Sequence, residues 1–291
     1  MRDATVDKAQ FLKDEAQDYP EAEKIFREAY ALSGGPSRKM EVLFEVLLMN
    51  FEKFDMDALK KDIATCLQLV EEGADWDKKN KLKVFEGVYC MLVRDFKKAA
   101  DLLLSCVASF TCVEMMEYKS FVFYAVTMAM VTQDRKVIKK QVIHSSDVLS
   151  VIRDIPHLKQ YVESFYNCEY KLFFEAFAEI LAAIEQDQYL KEHTSFYAKE
   201  MRLVAYRQYL ESFKSVTIDN MARAFGVSIE FLDQELSNFI YNGKINCKID
   251  KVSGVIESNR PNRKQELFNE TVRQGDALLN RVQKLARAMD I

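Results

Sequence analysis

Apolar residues recur at intervals of three and four through most of the chain, the signature of helices that bury one face. After Pro20, suited to a first helical turn, Ala22, Ile25, Phe26, Ala29 and Tyr30 keep this spacing until Ser33-Gly34-Gly35-Pro36 stops it. A second helix is predicted from Met40 to Phe51, and a third carries Leu59, Ile63, Cys66, Leu67 and Val70 before Gly73. Others are predicted over 77–93, 97–110, 116–131, 136–151, 156–166, 168–186 and 193–213.

Two joints look alike. Tyr19-x-x-Ala22-x-x-x-Phe26 and Phe96-x-x-Ala99-x-x-x-Leu103 share an aromatic, a small and a large apolar residue, just after Asp18 and Asp95. In tetratricopeptide-like hairpins the aromatic plugs the corner and the alanine lets two helices approach. The aromatics stand 77 positions apart, about two repeats of ~34–40 residues. An intermediate, degenerate copy is expected near Phe54 and Ala58.

Near residue 214 the pattern changes. Thr217 caps a short helix holding Ile218, Met221, Ala222 and Phe225, which Gly226 ends. Ser228 caps a second, with Ile229, Leu232, Leu236, Phe239 and Ile240 on one face and Asn242-Gly243 as its stop. Ile245, Cys247 and Ile249 then alternate with Lys244, Asn246 and Lys248, and a turn through Lys251 to Gly254 leads to a short Val255-Ile256 strand. Helix, turn, helix and hairpin make a winged helix. From about Lys264 to Met289 follows a long helix. Its apolar positions Phe268, Val272, Gly275, Leu278, Leu279, Val282, Leu285 and Met289 advance by about 3.5, the period of a coiled-coil seam. The fold class read here is all-α: a tetratricopeptide-like helical solenoid over 1–192, a winged helix with a small β-hairpin over 193–258, and a C-terminal helix over 263–291.

Composition sharpens this. Gly 8 and Pro 4 are a third of ordinary usage, and no glycine stands between Gly87 and Gly226, which excludes a large β or α/β domain. A net charge of −4 excludes a general nucleic-acid binder. The would-be recognition helix, Ser228 to Tyr241, carries Glu230, Asp233 and Glu235 and no Lys or Arg, so phosphate would be repelled. Lys244, Lys248 and Lys251, with Arg260, Arg263 and Lys264 beyond, are read as a protein-docking or solvated surface. The most apolar run, Phe121 to Val131, is shorter than the ~20 residues of a membrane span. Met1-Arg2-Asp3-Ala4 resembles neither a signal nor a transit peptide. The six cysteines, 66, 90, 106, 112, 168 and 247, form no C-x-x-C pair and read as free thiols of a reducing compartment.

Catalytic patterns are lacking. His144, His157 and His193 stand alone, and H-E-x-x-H, G-x-S-x-G and G-x-x-x-x-G-K-[ST] do not occur. No catalytic residue, cofactor or metal is expected. The unpaired edge of the strand from Lys244 to Ile249 invites another chain. The seam from Phe268 to Met289 requires something to pack against.

A helical array capped by an acidic winged helix and a long helix resembles the PCI family, the scaffolds of the proteasome lid, the COP9 signalosome and an initiation-factor complex. Glu71 to Val84, Arg94 to Leu104, Phe110 to Val126, Ala224 to Asn262 and Gly275 to Arg287 carry the resemblance, and they are most similar to the lid branch. The signalosome branch shares the architecture, but its wing is less like Cys247-Lys248-Ile249-Asp250-Lys251-Val252. Family members begin with a further helical extension, whereas Met1 falls at the start of the repeat array, so contacts of that extension are not carried over.

The resemblance implies a non-catalytic scaffold of the 26S regulatory particle lid in ubiquitin-dependent degradation, in cytoplasm and nucleus. The alternative is a scaffold of a related complex such as the signalosome. It also implies that PCI winged helices pair side by side and terminal helices gather into a bundle. The partners would be other PCI subunits, with the ATPase ring and core touched directly or indirectly, in a hetero-oligomer without membrane or nucleic acid.

Overall fold

The computed structural model describes residues 2–14, 19–258 and 263–289. Asp18, Arg260 and Asn262, singled out above, lie outside them. The chain divides into two compact units, one ending at Val204 and one beginning at Ala205.

The first unit is a solenoid of helices: α1 (Arg2–Asp14), α2 (Tyr19–Leu32), α3 (Pro36–Lys53), α4 (Met56–Glu71), α5 (Trp76–Leu92), α6 (Phe96–Cys106), α7 (Tyr118–Thr132), α8 (Arg135–Ile138), α9 (Ser146–Ile152), α10 (Leu158–Asn167), α11 (Tyr170–Glu185) and the first part of α12 (Thr194–Ser212). Helix α1 has no counterpart in the sequence reading. Its face is thin, yet Val6, Ala9 and Leu12 pack with Ala22, Ile25, Phe26, Val42, Val46 and Met49. The single helix predicted over 136–151 is broken. Its middle, Lys139–Ile143, is a π-turn, and His144 N–H reaches back five residues to the Lys139 carbonyl.

Three hairpin joints share one construction. Phe54, Arg94 and Cys168 adopt left-handed φ of 55°, 67° and 64° at the ends of α3, α5 and α10. The next N–H then closes a bond five residues back: Asp55 to Asn50 at 3.2 Å, Asp95 to Cys90 at 2.9 Å and Glu169 to Ser164 at 2.9 Å. A left-handed non-glycine residue costs about 1–2 kcal/mol, which these closing bonds offset, helped at the first two joints by the caps that follow. The Asp55 carboxylate accepts from Ala58 N–H at 3.0 Å, and that of Asp95 from Lys98 N–H at 3.3 Å. Cap positions Asp55, Asp95, Asp134 and Glu169 lie 40, 39 and 35 residues apart, which is the repeat.

Aligned on these helix starts and on that of α2, the motif has five copies: Tyr19/Ala22/Phe26, Met56/Leu59/Ile63, Phe96/Ala99/Leu103, Arg135/Ile138/Val142 and Tyr170/Phe173/Phe177. The second and third residues of every copy are buried. The intermediate copy therefore starts at Met56, not Phe54, which is 42% exposed as the left-handed end of α3.

Between α5 and α6 the approach is close because Gly87 has no side chain. A Cβ there would lie 2.8 Å from Leu103 Cδ2, itself fully buried. Gly87→Val should destabilise the chain by about 1–3 kcal/mol through overpacking. Thermal melting checks this: an unchanged or raised midpoint would contradict the close approach.

In the second unit, the end of α12 leads into β1 (Ser215–Thr217), α13 (Ile218–Phe225), α14 (Ile229–Tyr241), β2 (Cys247–Asp250), β3 (Val255–Ser258) and α15 (Arg263–Met289). The expected caps form: Thr217 accepts from Asn220 N–H and Ser228 from Phe231 N–H, each at 3.4 Å. Gly226 ends α13 at φ 70°, where other residues would be strained. The core gathers Ile218, Met221, Phe225, Leu232, Leu236, Phe239 and Ile256. Tyr206 of α12 rests its ring 5.1 Å from that of Phe225 and donates to Glu235 at 2.8 Å. This is a winged helix with a three-stranded antiparallel sheet in the order β1-β3-β2.

The strand expected from Lys244 begins later. Lys244 and Ile245 lie in a bend that closes α14, where Lys244 N–H returns to the Phe239 carbonyl at 2.9 Å. Arg207 donates to the Lys244 carbonyl, further fixing this bend.

Candidate protein-docking surfaces

The β2 strand is an edge. Among the described residues it pairs with β3 alone, through Cys247↔Ser258, Lys248↔Glu257, Ile249↔Ile256 and Asp250↔Val255. The alternation of the ladder decides which groups face outward. Ser258 N–H donates to the Lys214 carbonyl and Ile218 N–H to that of Gly254, so the even residues of β3 turn toward β1. Val255 and Glu257 therefore turn toward Asp250 and Lys248. The backbone groups of Cys247 and Ile249 point away from the sheet. Side chains alternate as expected from Ile245 onward: Ile245 and Cys247 are buried, Asn246 and Lys248 exposed, and Ile249 half-buried.

The electrostatics beside this edge are mixed. Lys251 Nζ stands 3.2 Å from Asp233 Oδ2, joining the wing to α14. Asp250 accepts from the Ser253 hydroxyl and from the N–H groups of Val252 and Ser253, and these bonds hold its carboxyl below the usual range. At the wing tip Val252 is almost fully exposed, as is Tyr241 at the end of α14.

Helix α15 is different in kind. Every side chain described along its 27 residues is exposed. Phe268, Val272, Leu278, Leu279, Val282, Leu285 and Met289 expose between 47% and 72% of their surface, and Leu267 joins them as a residue the sequence reading passed over. Nothing lies within 4 Å of where a Gly275 Cβ would stand. At 100° per residue these positions fall on one broad stripe, with Arg273 and Lys284 on the opposite face. Burying such a set is worth about 10–20 kcal/mol, and the helix alone realises almost none of it.

Elsewhere the chemistry is that of a packed interior. Burial pushes the Cys66 and Cys112 thiols up to about 12 and Cys90 up to about 11, which disfavours the nucleophilic thiolate. Among the described residues no three His, Cys, Asp or Glu side chains are grouped to hold a metal ion. No described helix is long and apolar enough to cross a membrane. His193 is buried against Arg94 and belongs to the solenoid.

Three family profiles match successive parts of the chain: "26S proteasome subunit RPN7" over residues 1–141, "PCI domain" over 177–260, and "26S proteasome regulatory subunit RPN7/PSMD6 C-terminal helix" over 269–289. The 26S proteasome non-ATPase regulatory subunit 6 homolog of Arabidopsis thaliana is 49% identical over 87% of this chain and 66% of its own length. The 26S proteasome non-ATPase regulatory subunit 6 of Dictyostelium discoideum is 44% identical over 94% and 72%. The 26S proteasome regulatory subunit RPN7 of Saccharomyces cerevisiae is 35% identical over 94% and 64%. The chain thus spans about two thirds of the length of these relatives. A helical array, a PCI winged helix and a C-terminal helix, each matched in order, place the chain in the family of the 26S proteasome regulatory subunit RPN7/PSMD6.

Proposed function

We propose that the chain is a non-catalytic scaffold of the lid of the 26S proteasome regulatory particle, acting in ubiquitin-dependent degradation by assembly alone. The observation that carries this reading is α15, a 27-residue helix with its apolar positions on one face and every described side chain exposed. Such a helix is complete only when other chains cover it. In this reading residues 1–192 form the array, 193–258 the PCI winged helix and 263–291 the bundle helix. The edge around Cys247 and Ile249 takes a strand or loop of a neighbouring PCI winged helix. Helix α15 takes helices of other lid subunits, and the particle's ATPase ring and core are reached directly or through those neighbours. The chain then works where the particle works, in cytoplasm and nucleus.

Two measurements test this. In a density gradient of native extract the chain should travel with the peptidase activity of the large particle; a chain found only at monomer size contradicts the reading. The purified chain should hydrolyse neither peptide, ubiquitin conjugate nor ATP. Turnover that survives repurification and vanishes with a point mutation in this chain would contradict a purely structural role.

A further inference from the structure

A short strap, Asp187 to Tyr197, lies across the joints of the solenoid. Asp187 accepts from the Tyr124 hydroxyl at 2.6 Å and from the N–H groups of Tyr189 and Leu190 at 2.9 Å. The Tyr189 ring packs 6.2 Å from each of Phe51, Phe54 and Tyr124. Further on, Phe196 and Tyr197 rest on Phe96, and the Tyr197 hydroxyl donates to the Thr127 carbonyl at 3.1 Å while pairing with Tyr161. Between these two anchored ends sits His193.

Arg94, the left-handed end of α5, donates from Nε to His193 Nδ1 at 3.0 Å and stacks over Phe196. An arginine has only donors, so Nδ1 must be the bare nitrogen of a neutral imidazole. The Leu92 backbone beside the ring favours the protonated imidazole, but less than burial and Arg94 disfavour it. The charged groups that bear on the ring are Arg94 from the α5/α6 joint and Glu192 from the strap itself, and Glu192 is exposed. A proton on Nδ1 would set donor against donor and cation against cation in a site where His193 keeps only 9% of its surface.

We propose that the Arg94–His193 hydrogen bond is a proton-sensitive latch, which fastens the strap to the α5/α6 joint when His193 is neutral and loosens it when His193 is protonated. Burial first, and Arg94 second, lower the affinity of this imidazole for a proton. The sign follows. A folded value below the ordinary one stabilises the fold fully above the ordinary histidine value of about 6.5, and this stabilisation is lost as pH falls below it. The Asp187 hydrogen bonds and the ring packing of Tyr189, Phe196 and Tyr197 that hold the rest of the strap involve no histidine, so loosening is centred on His193.

The test is amide exchange of the full chain, compared at about pH 7.5 and pH 5.5 after correction for intrinsic rates. Peptides covering 187–197 should lose protection several-fold at the lower pH, relative to peptides of α3 and α7. In His193→Asn the amide oxygen can accept from Arg94 at either pH, and the strap should keep its protection. A wild-type strap that does not loosen, or a His193→Asn strap that loosens equally, overturns the latch. If that variant does not fold, NMR titration of the wild-type imidazole decides: a His193 midpoint below about 6.5 supports the latch, and one at or above it overturns it.

Discussion

Truncation after Asn262 leaves the melting temperature of the isolated chain within about 2 °C of the full-length value, yet the truncated chain no longer enters the particle. Surface residues without tertiary contacts contribute within about 0.5 kcal/mol, and about 1 kcal/mol moves the midpoint of a chain this size by roughly 2–4 °C. Every side chain described on α15 is of that kind. Ordering a helix of this length alone costs about 1–2 kcal/mol per residue in backbone entropy, which its own hydrogen bonds offset only marginally. On the proposed reading the missing stabilisation comes from helices of other chains, with Leu278, Leu279, Val282 and Leu285 as the central anchors and Gly275 admitting a close neighbour. The opposing account folds α15 back onto its own winged helix. It requires truncation to lower the monomer's melting point markedly while assembly persists, and that pair of results would remove α15 from the interface.

Ile249→Pro weakens co-assembly about tenfold or more. Its N–H faces away from β3, so proline deletes an edge donor and leaves a partner carbonyl unmatched, at about 1–3 kcal/mol. Lys248→Pro, one residue earlier, removes an inward N–H that pairs with β3 and should instead lower the melting point of the winged helix. Comparing the two by melting and by incorporation separates an interface effect from a folding defect. If both variants melt and assemble alike, the β2 edge is not where the neighbouring chain binds. Asn246 is a poorer probe, since it precedes the strand.

The sequence made the helices legible because a face buried against a neighbour imposes its period on fifteen or so residues at a time. The caps at Thr217 and Ser228 were legible because a hydroxyl before an apolar run has one common use. What it concealed was short or positional. Strand β1 has three residues, and only Val216 is buried, so no alternation could accumulate. Helix α1 buries little of its own surface and is recognised only by what it packs against. The aromatics mark the repeat unevenly, whereas an acidic residue stands at each cap position, Asp55, Asp95, Asp134 and Glu169, with Asp55 and Asp95 accepting a cap hydrogen bond; the degenerate copy therefore lies two residues later than its aromatic suggests. The stripe on α15 was fully visible in sequence, except Leu267, which falls beside the 3.5-residue seam. The outward direction of Cys247 and Ile249 was not, because it depends on which residues of β3 turn toward β1. The strap from Asp187 to Tyr197 joins residues up to 138 positions apart, as in Phe51 with Tyr189, and no local pattern announces it.

On the proposed function this chain is built into the 26S regulatory particle as a structural subunit. Affinity purification of the tagged full chain from its own cells, with mass spectrometry of what comes with it, measures that directly. The expected result is the lid subunits together with the ATPases and core of the proteasome, in near-equal amounts, and their loss when the chain ends at Asn262. Signalosome subunits in place of proteasome subunits, or a chain recovered alone, would contradict it.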